Sequence, residues 1–192
     1  LASSPNAMYG FGGDDNLTGG TAGDFLFGGI GTDTLNGALG NDTYIFGLSD
    51  GTDTINDSGG SGDAIQIVAN GAVLSTLNFR DDDTGNNNGS LVIQYNGQQI
   101  TVTNHYETNQ AVESITFVGG ASFAGYSLGS NPYAISTDES DTLNEGDGLH
   151  VIAGANDGSV TLDGGAGNDL LFGNDGADTL VGGDDTDLLV GG

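Results

Sequence analysis

The chain has no cysteine, so neither disulfides nor thiolate metal sites can hold it together. Positive charge is almost missing as well: Arg80 stands alone against 27 acidic residues, and the formal net charge is −26. Nucleic acid and anionic membrane surfaces both call for Lys and Arg against their phosphates, so neither is an expected partner. No apolar run approaches membrane-spanning length, and membrane insertion is not expected. The opening Leu1-Ala2-Ser3-Ser4-Pro5 lacks the basic and apolar regions of a signal peptide and reads as a cut edge. His105 and His150 are the only histidines, and no nucleophile motif such as G-x-S-x-G occurs, so catalysis is not expected either. Glutamate is scarce, with Glu107, Glu113, Glu139 and Glu145 against 23 Asp, a bias toward turns that predicts very little helix.

What is abundant is glycine, with 37 residues, and a hydrophobic content of 35% is too thin for a large conventional core. A compact chain of this charge repels itself, and cations are the remedy. Gly28-Gly29-Ile30-Gly31-Thr32-Asp33-Thr34-Leu35-Asn36 fits the nine-residue pattern G-G-x-G-x-D-x-U-x, with U a large apolar residue, at every defined position. Three neighbours share its register: Gly10 to Thr18 (Asp15, Leu17), Gly19 to Phe27 (Asp24, Leu26) and Gly37 to Ile45 (Asp42, Tyr44). A second array runs Gly164 to Phe172, Gly173 to Val181 and Gly182 to Val190, with Asp169, Asp178 and Asp187 before Leu171, Leu180 and Leu189. It stops at Gly191-Gly192, the first two residues of another unit, so the chain is expected to be part of a larger polypeptide.

Some units depart from the pattern. Position two holds Phe11, Ala38 and Asn174, and position four holds Ala22 and Asp185, so those turns are expected to bind less tightly. After Ile45 the period loosens by two residues, and Gly51-Thr52-Asp53-Thr54-Ile55 and Gly62-Asp63-Ala64-Ile65 read as degenerate units closing the first array. Gly158 to Asp163, with Val160 where Asp should be, reads as a lead-in strand for the second. From about Ala64 to Leu128 glycine thins and β-branched and aromatic residues rise, which predicts an antiparallel sheet. Its clearest element is Leu91–Tyr95, Asn96-Gly97, Gln98–Val102, two strands joined by the dipeptide suited to a type I′ turn. Asp81 to Gly89 reads as a polar loop.

The expected architecture is all-β: a parallel β-roll, or β-helix-like solenoid, of nonapeptide repeats with an intervening small antiparallel β domain. The expected boundaries are 9–63 for the first roll, 64–130 for the antiparallel domain, 131–148 for a linker and 149–192 for the second roll.

In each unit six residues make a tight turn and three a short strand, so two units wind a coil of about 18 residues and identical positions stack. Glycines at positions one, two and four are expected to take positive φ and bring carbonyls inward, and Asp at position six adds a carboxylate. Hard oxygens gathered this way suit Ca2+, several ions in all, better than magnesium. The expected ligands are Asp15, Asp24, Asp33, Asp42, Asp53, Asp63, Asp169, Asp178 and Asp187, with Gly13, Gly29, Gly31, Gly40, Gly165, Gly167 and Gly176. Across one ion Asp15 pairs with Asp33, Asp24 with Asp42 and Asp169 with Asp187. Asp33 with Asp53 and Asp42 with Asp63 follow across the loosened register, while the Asp178 site is expected to be incomplete. An isolated Asp-Gly pair is usually only a turn, but seven in register are not. The Leu positions read as a thin core.

Residues 10 to 45 and 164 to 192 resemble the haemolysin-type calcium-binding repeats of the RTX (repeats-in-toxin) family. Asn41 to Gly47, Asp50 to Ile55 and Val112 to Phe117 resemble the domain that commonly closes such arrays. The resemblance implies a module of a toxin, adhesin or exoenzyme, secreted or at the bacterial cell surface, exported unfolded by type I secretion and folded outside by calcium. A second reading is a peptide- or glycan-binding module of an adhesin, with His105, Tyr106, Glu107, Tyr95 and Tyr126 as candidates. Ice binding would need a flat ladder of identical residues, which Thr21, Ile30 and Leu39 do not form.

Overall fold

The computed structural model describes residues 4–81, 89–105, 112–131, 133–137, 142–144, 148–153 and 159–192. Every regular element among them is a strand. Each repeat ends in a strand triplet whose middle side chain is apolar and points to the opposite face from its neighbours, so Leu35 is fully buried while Thr34 and Asn36 are half-buried. Successive units alternate between two walls. One wall holds β1 (Ala7–Gly12), β3 (Phe25–Ile30), β5 (Thr43–Phe46) and β7 (Ala64–Val68). The other holds β2 (Asn16–Thr18), β4 (Thr34–Asn36) and β6 (Thr52–Ile55). All neighbours within these walls are parallel, Leu26 opposite Tyr44 and Leu17 opposite Leu35. The repeat of cross-coil contacts is 18 residues, stretching to 20 and 21 where the sequence period loosens.

The central stretch continues both walls. It contains β8 (Ala72–Leu74), β9 (Leu77–Asp81), β10 (Leu91–Tyr95), β11 (Gln98–Val102), β12 (Ser114–Val118), β13 (Ala121–Phe123) and β14 (Tyr126–Leu128). The hairpin β10–β11 forms as its dipeptide predicts: Asn96 and Gly97 take φ of 47° and 78°, the two left-handed residues of a type I′ turn. Antiparallel pairing holds for β9, β10 and β11 and for β13 with β14. Toward the first array the pairing is parallel instead, β11 with β6, β12 with β7 and β13 with β8. These strands take the next place in the stack that the repeats begin, and stacking coils of one winding direction run parallel.

Then come β15 (Tyr133–Thr137), β16 (Thr142–Asn144), β17 (His150–Ala153), β18 (Thr161–Asp163), β19 (Leu170–Phe172), β20 (Thr179–Val181) and β21 (Leu188–Val190). Thus 131–148, expected as a linker, contains two strands; the rest of it lies largely outside the described residues, as does nearly all of the expected polar loop. Strand β15 pairs antiparallel with β12, Ser114 opposite Ala134, and parallel with β17. One nine-stranded sheet therefore runs β1-β3-β5-β7-β12-β15-β17-β19-β21 through both arrays, reversing direction once.

A single buried cluster extends from Leu26 through Ile65, Phe79 and Ile115 to Phe172, whose ring centroid lies 5.1 Å from that of Phe79. A smaller one joins Ile152, Val160, Leu162 and Leu171. Leu189, expected inside, is 44% exposed, since β21 is the outermost strand and no further coil covers it.

Candidate metal sites

The repeat aspartates form hydrogen-bonded columns along the edges of the rolls. In each case Oδ1 accepts the backbone N–H of the residue one coil earlier. Asp15 N–H donates to Asp33 at 2.8 Å and Asp33 N–H to Asp53 at 2.9 Å. On the other edge Asn6 donates to Asp24, Asp24 to Asp42 and Asp42 to Asp63, each at 2.6 Å. In the second array Asp169 N–H donates to Asp187 at 3.1 Å and Val160 N–H to Asp178 at 3.2 Å. The structure therefore brings together every pair expected from the 18-residue coil, and the two across the loosened register as well. Val160, with no carboxylate of its own, supplies Asp178 with a backbone partner only.

Asp33, Asp42, Asp63 and Asp169 thus each have one carboxylate oxygen fixed and the other left over. Oδ2 of Asp15, Asp33, Asp42, Asp63 and Asp169 is buried without a hydrogen-bond partner. Asp24 differs, because its Oδ2 accepts Gly20 N–H at 2.6 Å in the unit whose fourth position is Ala22. Asp24, Asp33, Asp42, Asp53, Asp63 and Asp169 are all buried, whereas Asp15, Asp178 and Asp187 at the ends of the columns are half-buried.

The glycines divide into two kinds, which corrects the expectation that positions one, two and four are alike. Gly13, Gly29, Gly31, Gly40, Gly165, Gly167 and Gly176, at positions two and four, have positive φ. So do Phe11, Ala38, Asn174 and Asp185 in equivalent places, held in the left-handed region by the turn despite their side chains. Position one does not have positive φ; it needs glycine for space. A Cβ on Gly10 would stand 2.5 Å from both Asp15 Oδ2 and the carbonyl oxygen of Gly28 in the next coil. The missing side chain is what lets carboxylate and carbonyl oxygens converge.

These oxygens have little positive charge near them. Burial pushes the carboxyls of Asp42 and Asp53 up to about 6. Asp63 rises to about 8, first through burial and then through the neighbouring carboxylates of Asp57 and Glu113. Burial also raises Asp50 and Asp169, the latter partly offset by His150, whose Nδ1 lies 3.2 Å from Asp169 Oδ1. Among the described residues no three His, Cys, Asp or Glu side chains cluster to hold a metal by themselves. An ion seated here would therefore draw on main-chain carbonyls too. Hard carboxylate and carbonyl oxygens, buried, uncompensated and irregularly spaced, fit calcium.

The structure adds residues that repeat counting misses. Asp57 is buried with an unpartnered Oδ2, and Asp50 accepts the N–H of Gly47. Glu113 takes the place of the next Asp in its column, its Oε2 accepting Asp63 N–H at 2.5 Å, and His150 N–H donates to Asp169 at 2.9 Å. Glu113 has a sequence signal in retrospect: Glu113-Ser114-Ile115 repeats the acid, small, apolar order of Asp63-Ala64-Ile65, with which it lies in register.

Of the residues considered for ligand binding, Tyr95 and His105 are internal and Tyr126 is half-buried. Tyr95 is buried and its hydroxyl donates to the Gly47 carbonyl at 3.0 Å. The Tyr126 hydroxyl donates to the Thr186 carbonyl at 2.7 Å. Buried His105 accepts Val112 N–H through Nδ1 at 3.3 Å, and burial lowers its pKa to about 4. Tyr106 and Glu107 lie outside the described residues.

An all-β roll of parallel coils with stacked turns that converge carboxylate and carbonyl oxygens defines the class of calcium-binding solenoids. Four copies of the RTX calcium-binding nonapeptide repeat match residues 9–44 and 155–192. Those two stretches carry RTX-type repeats, and the second begins early enough to take in the unit around Val160. No curated protein matches the chain.

Proposed function

We propose that the chain is a calcium-switched folding module of a secreted protein, whose ions are held by Asp15, Asp24, Asp33, Asp42, Asp53, Asp63, Asp169, Asp178 and Asp187 together with turn carbonyls. The observation that carries this reading is the set of buried, unpartnered Oδ2 atoms in a chain with one basic residue. Calcium supplies the positive charge that offsets desolvation of the carboxylates. The protein's own part is to fix one carboxylate oxygen by a backbone N–H, leave the other unpartnered, and keep position one clear of side chains. Without metal, the acidic, glycine-rich chain does not offset its ordering entropy and stays largely disordered. Binding free energy then becomes folding free energy. A cell interior poor in calcium keeps such a chain threadable for export, and a calcium-rich exterior folds it.

The test is a calcium titration of the metal-free chain followed by far-UV circular dichroism, with magnesium as control. A cooperative gain of β signal with calcium and not with magnesium is expected. A chain fully folded in chelator, unchanged by calcium, overturns the reading.

A further inference from the structure

The outer face of the wall that contains the hairpin has one stretch free of carboxylates. Thr52 on β6, Gln99 on β11, Gln94 on β10 and Asn78 on β9 stand opposite one another in a single cross-strand row. With strands about 4.8 Å apart, four of them set a row about 14 Å long. Gln94 Nε2 donates to Gln99 Oε1 at 3.0 Å, and Gln99 Nε2 donates to Thr101 Oγ1 at 3.3 Å. Each amide carries two donor hydrogens and two acceptor lone pairs, so these single bonds do not exhaust them. Thr76 and Phe123 on β13, the latter partly buried against the core, also line this cleft of about 520 Å³, which has no charged residue in its lining.

We propose that this cleft binds a neutral oligosaccharide. In a chain of net charge −26, an uncharged cleft gives a cation no advantage over the carboxylate columns, and the surrounding field repels an anion. What remains is a neutral ligand that donates and accepts hydrogen bonds along its length and has an apolar face. Sugar hydroxyls meet the first requirement against a row of amides and a threonine, and the C–H face of a pyranose meets the second against Phe123. The row's length suits several sugar units rather than one. This site is separate from the aspartate columns, so it stands or falls apart from the folding reading.

The experiment titrates the calcium-loaded chain with neutral trisaccharides (maltotriose, cellotriose, N-acetylated chitotriose and mannotriose) while following the side-chain amide resonances of ¹⁵N-labelled protein. At least one should shift the Gln94 and Gln99 amides saturably at or below ~10 mM. The double variant Asn78→Ala, Gln99→Ala should weaken that binding at least tenfold and leave the calcium-induced β signal unchanged. The proposal is overturned if no trisaccharide moves those amides, if binding survives in the double variant, or if only charged sugars or a peptide added along β9 perturb the face.

Discussion

At Gly28 a single hydrogen atom decides whether Asp33 can reach its turn. A Cβ there would stand 2.7 Å from the Asp33 carboxyl carbon and 2.8 Å from its Cβ, so Gly28→Ala must displace the carboxylate. The calcium concentration at mid-transition should rise about tenfold, equivalent to about 1.4 kcal/mol, in the dichroism titration. Asp42→Asn has two opposite effects. Asparagine Oδ1 can still accept the N–H that Asp24 now donates at 2.6 Å, but the buried charge is gone. In chelator the variant should show more β signal by dichroism than the parent, and in saturating calcium its thermal melt should come at lower temperature. A uniform loss in both would mean that Asp42 serves packing alone. The aspartates were legible in the sequence because the nine-residue period names them; Asp57 was not, because it falls where that period slips.

Among the elements, the hairpin β10–β11 was the most legible, since a two-residue turn is a local decision that Asn96 and Gly97 make by accepting positive φ. Gly97→Ala meets no atom within 4 Å yet keeps a residue at φ 78°, so its cost is conformational alone. About 1 kcal/mol of thermal stability should be lost, and since folding and binding are coupled the calcium midpoint should rise, but by much less than the tenfold expected of Gly28→Ala. The hairpin's partner was illegible. Gln99 lies opposite Thr52, and Gln98 Oε1 accepts Gly51 N–H from 47 residues away. Alternation of side chains says that a strand has an inner face, not which strand lies beside it.

Over the whole molecule, the raised carboxyls make stability depend on pH in a definite direction. Asp42 and Asp53 at about 6 and Asp63 at about 8 lie above the ~3.9 of an unfolded Asp, so the folded chain holds protons the unfolded chain has released. Their contribution to the metal-free fold is complete below pH ~4 and is lost as pH rises through 6 to 8. His105, held near 4, acts against the fold below pH ~6.5, but it is one group against three. Acidifying the metal-free chain from about pH 8 to about pH 5 should therefore increase its β signal, while the calcium midpoint moves to higher concentration as protons compete for the same oxygens. No change in either quantity would show that these carboxyls do not titrate with folding. The continuous core makes a second prediction at this scale. Phe172→Ala, which removes the ring packed on Phe79, should cost about 3–5 kcal/mol and lower one calorimetric transition shared by both arrays. Two transitions, with only the later one shifted, would show that the arrays unfold apart.

The sequence by itself determined the coil, its aspartate columns, the choice of a hard divalent cation and the hairpin, because each rests on spacing within a few residues or on a strict repeat. Tertiary packing alone made β12 continue the first roll, made β15 reverse the nine-stranded sheet, and carried the core unbroken from Leu26 to Phe172. Strand partners distant along the chain are chosen by burial of whole faces against one another, and that choice leaves no periodic mark in the residues that make it.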